Sequence, residues 1–319
     1  MKRSITLLSI LLVVQICAAL ALNIGREEYG ATEPEEALLA VSPDEVDTVR
    51  IESPDTVAPV VIKYQDGRWT LPEHFGFPAA GERVRQLVQK ISGLKKGWPV
   101  ATTPEAAGRF KVADDKYERK ITLSGKERVL DTLYLGTSPG FRKVYARAGK
   151  EREIFSVDFA VFEAGAENDD WIDKDVLKIR DTDINRLEMD GICIKRTEDK
   201  ALTLCDAVAG EETIRSEAAS LLNRIANLRI QSVLGKKPMP EFKLDNPELV
   251  ISIDLSSGGE LTYRLSRPEN GDHYILKASG WDYYFSVPGW SLESIKNTKR
   301  NQLIRGSHEP DSGNATGKR

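Results

Sequence analysis

The sequence predicts an α+β protein of two tandem, mutually related units. Each is a mainly antiparallel sheet with one amphipathic helix, and an N-terminal transmembrane helix precedes both. Three observations predict it. Phe110-Lys111-Val112, Ile121, Leu123, Leu133 and Leu135 return as Phe242-Lys243-Leu244, Ile253, Leu255, Tyr263 and Leu265. Such a self-match at a nearly fixed spacing marks two copies of one unit. Val84, Leu87, Val88, Ile91 and Leu94 form one apolar helical stripe, repeated 134 residues later by Ala218, Leu221, Leu222, Ile225 and Leu228. Ile5–Leu22 is an uncharged apolar run behind Lys2 and Arg3.

That run would span ~27 Å as a helix, about one hydrocarbon core. Its positive flank stays cytoplasmic and sends the remainder outward. Ala19-Leu20-Ala21 offers a signal-peptide cleavage site as the competing reading, but the length favours an uncleaved anchor. Gln15-Ile16 before Cys17 lacks the small residue that lipoprotein processing needs. Residues 23–44, with Glu27, Glu28, Glu33, Glu35 and Glu36, read as an acidic tether.

The first unit is expected over 45–172. Val49 and Ile51 begin a strand, and Val60–Tyr64 and Arg68–Leu71 form a hairpin about Asp66-Gly67, a strong turn signal. After the helix, strands follow at Arg119–Leu123, Asp131–Leu135, Lys143–Arg147 and Glu153–Val157, with glycine turns near or between them. A short helix is expected over Phe159–Ala166. The second unit, 173–304, repeats this order. The offset falls stepwise, from 138 at Asn185, Leu187 and Met189 to 130 at Phe285, Ser286 and Val287, as loop deletions would make it. Residues 305–319 read as a disordered tail.

Hairpin, Gly67-Arg68-Trp69, helix, Phe-Lys-Val/Leu segment, sheet and Trp171-Ile172-Asp173-Lys174-Asp175-Val176-Leu177 together resemble the bacterial family carrying the placeholder name domain of unknown function 4340. The resemblance covers roughly Val41 to Ile304. It departs in the second hairpin, where Ala201-Leu202 replaces the Gly-Arg-Trp turn and Cys205 lies near the aromatic position. Family members often sit beside components of a gliding-motility-type ABC transporter. The resemblance therefore implies an envelope accessory role and a membrane-protein partner, and it brings no catalytic residues.

The residues themselves name no catalytic, cofactor or metal set. His74, His273 and His308 lack partners at metal spacing. Glu167, Asp169, Asp170, Asp173 and Asp175 lack the alternation and glycine of a calcium loop. Gly136–Gly140 and Ser256–Gly259 lie between strands, where phosphate loops do not occur. Trp281, Tyr283 and Phe285 alternate on one strand face, which is either core or a candidate binding surface. Cys193 and Cys205 flank a turn near Asp199, so a hairpin sets them opposite or adjacent. In an oxidising compartment they could pair, yet cross-strand disulfide geometry is marginal and buried free thiols are common. Both states stay open.

A net charge of −4 disfavours nucleic acid, whose binders present basic faces. The expectation is a single-pass inner-membrane protein with its bulk on the periplasmic side, serving as a non-enzymatic accessory or binding component. A hydrolase-like enzyme with a site between the units is the first alternative. A glycan- or peptide-binding module is the second.

Overall fold

A computed structural model describes residues 36–306 except 270, together with 12, 14 and 15. The expected transmembrane run, apart from those three helical residues, lies outside the described residues, as do 23–35 and 307–319. Among the described residues no helix is long and apolar enough to cross a membrane.

The fold is α+β, with two large antiparallel sheets. The first comprises β1 (Thr48–Glu52), β2 (Val60–Gln65), β3 (Arg68–Leu71), β4 (Phe77–Pro78), β5 (Arg119–Gly125), β6 (Arg128–Leu135), β7 (Lys143–Ala148) and β8 (Phe155–Asp158). Helices α1 (Gly81–Ser92) and α2 (Pro104–Phe110) lie between β4 and β5. The second contains β9 (Ile184–Met189), β10 (Ile192–Arg196), β11 (Leu202–Leu204), β13 (Ser232–Gly235), β14 (Leu249–Leu255), β15 (Glu260–Ser266), β16 (His273–Ala278) and β17 (Tyr284–Pro288). Helix α3 (Arg215–Ala226) precedes β13 and α4 (Gly289–Lys296) follows β17. A separate pair joins β12 (Glu211–Thr213) to β18 (Ile304–Gly306). Arg305 and Gly306, expected in the tail, are therefore strand residues paired through backbone hydrogen bonds.

The sheet orders are β4-β3-β2-β1-β5-β6-β7-β8 and β11-β10-β9-β14-β15-β16-β17-β13. Seven strands run in the same order in both. They differ at opposite ends: β4 extends the first beside β3, and β13 extends the second beside β17. The first sheet keeps only an isolated bridge, Ala101 with Ile154, where β13 would lie.

The stripes read from the sequence explain how the helices sit. Val84, Leu87, Val88 and Ile91 of α1 are buried, as are Ala218, Leu221, Leu222 and Ile225 of α3. Alternating burial along β5 and β14 matches the period of a strand. At the first hairpin Asp66 and Gly67 both take positive φ, +52° and +79°, as a two-residue turn of matching twist requires. One apolar core runs continuously through both sheets.

The match between halves begins earlier than expected. A 3-10 turn at Pro43–Glu45 precedes β1, and one at Asp181–Asp183 precedes β9, at the same offset of 138. Upstream, the Lys96 amide donates to the Glu36 carbonyl (2.8 Å), and the Ile230 amide donates to the Lys174 carbonyl (3.1 Å). Leu39 and Leu177 are buried at matching places. One expectation changes accordingly. The segment from Glu36, expected within the tether, docks on the first sheet because Leu38, Leu39 and Val41 are apolar and enter its core. Residues 174–179 do the same for the second through Leu177.

One further expectation fails locally. Phe159–Ala166 forms only a 3-10 turn, Val161–Glu163. Side chains take its carbonyls: Arg119 Nε donates to Ala164 O and Trp171 Nε1 to Gly165 O. Phe242 is buried, while its counterpart Phe110 is half-exposed and stacked on Tyr145 at 4.1 Å.

Candidate functional site

Trp281, Tyr283 and Phe285 share one face, which meets Phe77 of the first sheet. Its ring lies 4.9 Å from Tyr283, 5.9 Å from Phe285 and 6.0 Å from Trp281. The Tyr283 hydroxyl donates to the Phe75 carbonyl at 3.3 Å. Phe285 is fully buried, while Trp281 and Tyr283 are half-buried. Only Phe285 lies in β17; Trp281 and Tyr283, expected on the same strand, sit in the bend before it, and the three rings together form part of the joint between the sheets. Cys193 and Cys205 form a disulfide with Cα atoms 5.3 Å apart, and the Cys205 amide donates to the Cys193 carbonyl. It ties β10 to the end of β11 at the sheet edge.

His74 also lies at the joint, with Nε2 3.9 Å from Asp169 Oδ1. Both atoms are sealed from solvent and neither has a hydrogen-bond partner. Burial pushes the His74 imidazole below its usual range while Asp169 pulls the other way. Burial pushes the Asp169 carboxyl up. Two other acids of that stretch act as local caps: Asp170 accepts from the Glu167 amide, and Asp173 from the Asp175 amide. Among the described residues no three His, Cys, Asp or Glu side chains converge as a metal site.

The arrangement with chemistry to offer is a groove of about 510 Å³ between the end of α3 and the start of α4. Lys174, Arg224 and Arg229 line it, and no Asp or Glu does. Asn223, Asn227 and Gln231 add exposed amides. The backbone places these groups. The Ile230–Lys174 hydrogen bond fastens the segment after α3 to the turn carrying Lys174. Gly289 starts α4 so close to Asp272, just ahead of β16, that a Cβ there would collide with the Asp272 carbonyl. That tight start throws Trp290 outward, 80% exposed on the rim.

Charge in the groove is only partly met. Arg229 Nε pairs with Asp175 at 2.7 Å. Arg224 donates to two neutral acceptors, Ser220 Oγ (2.9 Å) and Thr298 Oγ1 (3.0 Å). Its Nε is buried without a partner, and no carboxylate among the described residues reaches the guanidinium. Lys174 feels Asp169 only at longer range.

The first sheet has a groove of about 550 Å³ at the matching place, where Lys90 stands for Arg224. Here two of the lining lysines are met by carboxylates. Lys90 pairs with Glu163, and Lys96 pairs with Glu151 (2.8 Å) and Glu36 (3.0 Å), which hold its ammonium above the usual lysine range. The counterpart of Glu163 at the offset of 130 is Glu293. It accepts from the Tyr274 hydroxyl (2.9 Å) and pairs with Arg267 (3.3 Å), not with Arg224.

Sequence reasoning missed this groove. Arg224 hides among ordinary surface positions of an amphipathic helix, and Trp290 follows a strand like any end-of-strand aromatic. Lys174 was in view, inside the Trp171–Leu177 motif, but nothing in one dimension says that it faces α3. Neither the curated proteins nor the solved structures give a match to the chain. A family model does match, over residues 69–247, more than half of the chain. That span runs from β3 through the Trp171–Leu177 motif and α3 to the turn before β14, and so takes in Lys174 and Arg224. The chain belongs to the family described as domain of unknown function (DUF4340).

Proposed function

We propose that this chain is a non-enzymatic binding or accessory protein of the cell envelope. It is held at the inner membrane by residues 5–22, with its body on the periplasmic side, and works beside an ABC-type transport or gliding-type system. Its two sheets are copies of one duplicated unit, the second adapted for recognition. The carrying observation is the groove: cations, amides and an exposed indole converge there on rigid elements, and no lining carboxylate answers the charge. A pocket with a few convergent polar groups on a fixed frame is the ordinary form of a ligand site. The docked segment at Leu38 and Leu39 supports the tether, because a chain leaving the bilayer would meet the body at one defined point near the membrane. Such tethering raises the effective concentration for membrane neighbours.

The enzyme reading has one observation on its side, the His74–Asp169 pair between the sheets. Its facing atoms are sealed from solvent, which favours a packing role.

The test is complementation in cells with crosslinking of the native membrane. The anchored chain should complement and crosslink to a membrane-protein partner; the body released by a cleavable signal should complement poorly. Full complementation by the released body, together with loss of function in a folded His74→Gln variant, would replace this reading with the enzyme.

A further inference from the structure

Resting on that binding reading, we propose that the groove of the second sheet receives an acidic saccharide unit, a sugar ring bearing a carboxylate or a phosphate. The anion's place is set by Arg224 and Lys174. Arg224 is positioned by Ser220 and Thr298, both uncharged, so its planar fork is oriented without being neutralised. That fork suits carboxylate and phosphate oxygens equally. The carboxylate that could have closed the site, Glu293, is held away by Tyr274 and Arg267. Lys174 stands where the first sheet has Glu36, an acid that pairs with Lys96. Ile230 stands where the first sheet has Lys96 itself. The second groove has thus exchanged an internal ion pair for a cation facing open space.

The ring's place is set by Trp290. An indole 80% exposed on a backbone pinned at Gly289 offers a flat apolar face with a polar edge, the shape that covers the less polar side of a sugar. Asn223, Asn227 and Gln231 supply donors and acceptors for hydroxyls. Asn227 Nδ2 is spent on Asn223, leaving its carbonyl oxygen as an acceptor. A volume of about 510 Å³ lies within the usual range for small-ligand pockets and suits one or two rings. The lining combines side chains of α3 and α4 with Lys174 and the segment 227–231 that follows α3.

The experiment is isothermal titration of the full chain in detergent micelles. The probes are a glucuronic-acid disaccharide, a hexose phosphate, a neutral disaccharide, inorganic phosphate and an acidic peptide. At least one acidic saccharide should bind saturably, about tenfold or more tighter than the neutral disaccharide and than phosphate alone. The tighter of the two assigns carboxylate or phosphate as the anion. Arg224→Gln should remove the preference for acid, as should Lys174→Glu, a half-exposed position that leaves the fold intact. Trp290→Ala should weaken acidic and neutral saccharides alike. The proposal is overturned if neither acidic saccharide saturates, if the acidic peptide binds more tightly, or if binding survives Arg224→Gln and Trp290→Ala. Should those variants complement in cells while the released body does not, the saccharide site falls and the envelope role stands.

Discussion

The two grooves share a frame and differ in a few charged side chains and the partners they take. In the first, Glu163 closes on Lys90, and Glu36 and Glu151 close on Lys96. In the second, the matching Glu293 is drawn to Tyr274 and Arg267, and Arg224 keeps its charge. Backbone hydrogen bonds at the two places correspond, Lys96 to Glu36 and Ile230 to Lys174. A repeated fold therefore does not imply a repeated site. The frame fixes which positions face one another, and a few side chains decide whether a groove's cations are met by its own carboxylates.

The largest way to break the comparison is to remove the helix from either sheet. Leu221 is fully buried and Leu87 is 5% exposed. Leu221→Ala and Leu87→Ala should each cost about 2–5 kcal/mol, with the cavity term larger for the more enclosed Leu221. Urea unfolding read by circular dichroism measures both. A cost below about 1 kcal/mol at either position would mean that its helix does not support its sheet.

The disulfide belongs to the second sheet alone. Cys193 and Cys205 are separated by 12 positions. Closing so short a loop stabilises by about 3 kcal/mol on the chain-entropy account. Cys193→Ser with Cys205→Ser should lower the unfolding midpoint by a corresponding amount, and reductant should then have no further effect. A variant as stable as the parent would show that the sulfurs are reduced in the native protein.

The frame was legible because burial writes itself into sequence period. The stripes of α1 and α3, the Asp66-Gly67 turn and the order of strands all follow from apolar spacing and turn chemistry. The early repeat at 36–42 and 174–180 was hidden because its hydrogen bonds reach across about 60 residues to the segment after the helix. Period along the chain does not record such pairings. The aromatic alternation of Trp281, Tyr283 and Phe285 gave their shared face, but not that Phe77 from the other sheet would lie on it. The groove was illegible for a further reason: its character depends on Glu293 choosing Tyr274 over Arg224, a choice between partners on separate elements.

A smaller effect concerns the joint. Burial lowers the proton affinity of His74 in the folded chain relative to the unfolded one. Protons then favour the unfolded chain: the full contribution is present above the ordinary value of 6.5 and is lost as pH falls through it. Asp169, pushed upward, has the opposite sign and a lower window, between its raised value and 3.8. Lys174 and the Val233 backbone pull Asp169 down and moderate that step, whereas Asp170 pushes it further up. Between about pH 7.5 and 5.5 His74 should dominate. The melting temperature should fall over that interval, and His74→Asn should flatten the fall. An equal slope in the variant would remove His74 as its cause.

The smallest effects on stability sharpen the comparison most, because they move one groove towards the other. The Lys90–Glu163 pair is partly exposed, so Glu163→Gln should cost only about 0.2–1 kcal/mol. Its consequence is electrostatic: Lys90 loses its carboxylate and the first groove gains an unanswered cation. In the second, Arg267→Ala with Tyr274→Phe takes both holders from Glu293 and leaves its carboxylate to seek Arg224 across the groove. The first change should leave acidic-saccharide binding at the second groove untouched. The double change should weaken it several-fold while the neutral disaccharide binds as before. Salt should separate the cases, since added salt screens the exposed Arg267–Glu293 pair and the bound anion alike. The parent should therefore lose affinity steeply between about 0.05 and 0.5 M salt, and the double variant should lose less. If the double variant binds acid as tightly as the parent, the orientation of Glu293 is not what keeps the second groove open.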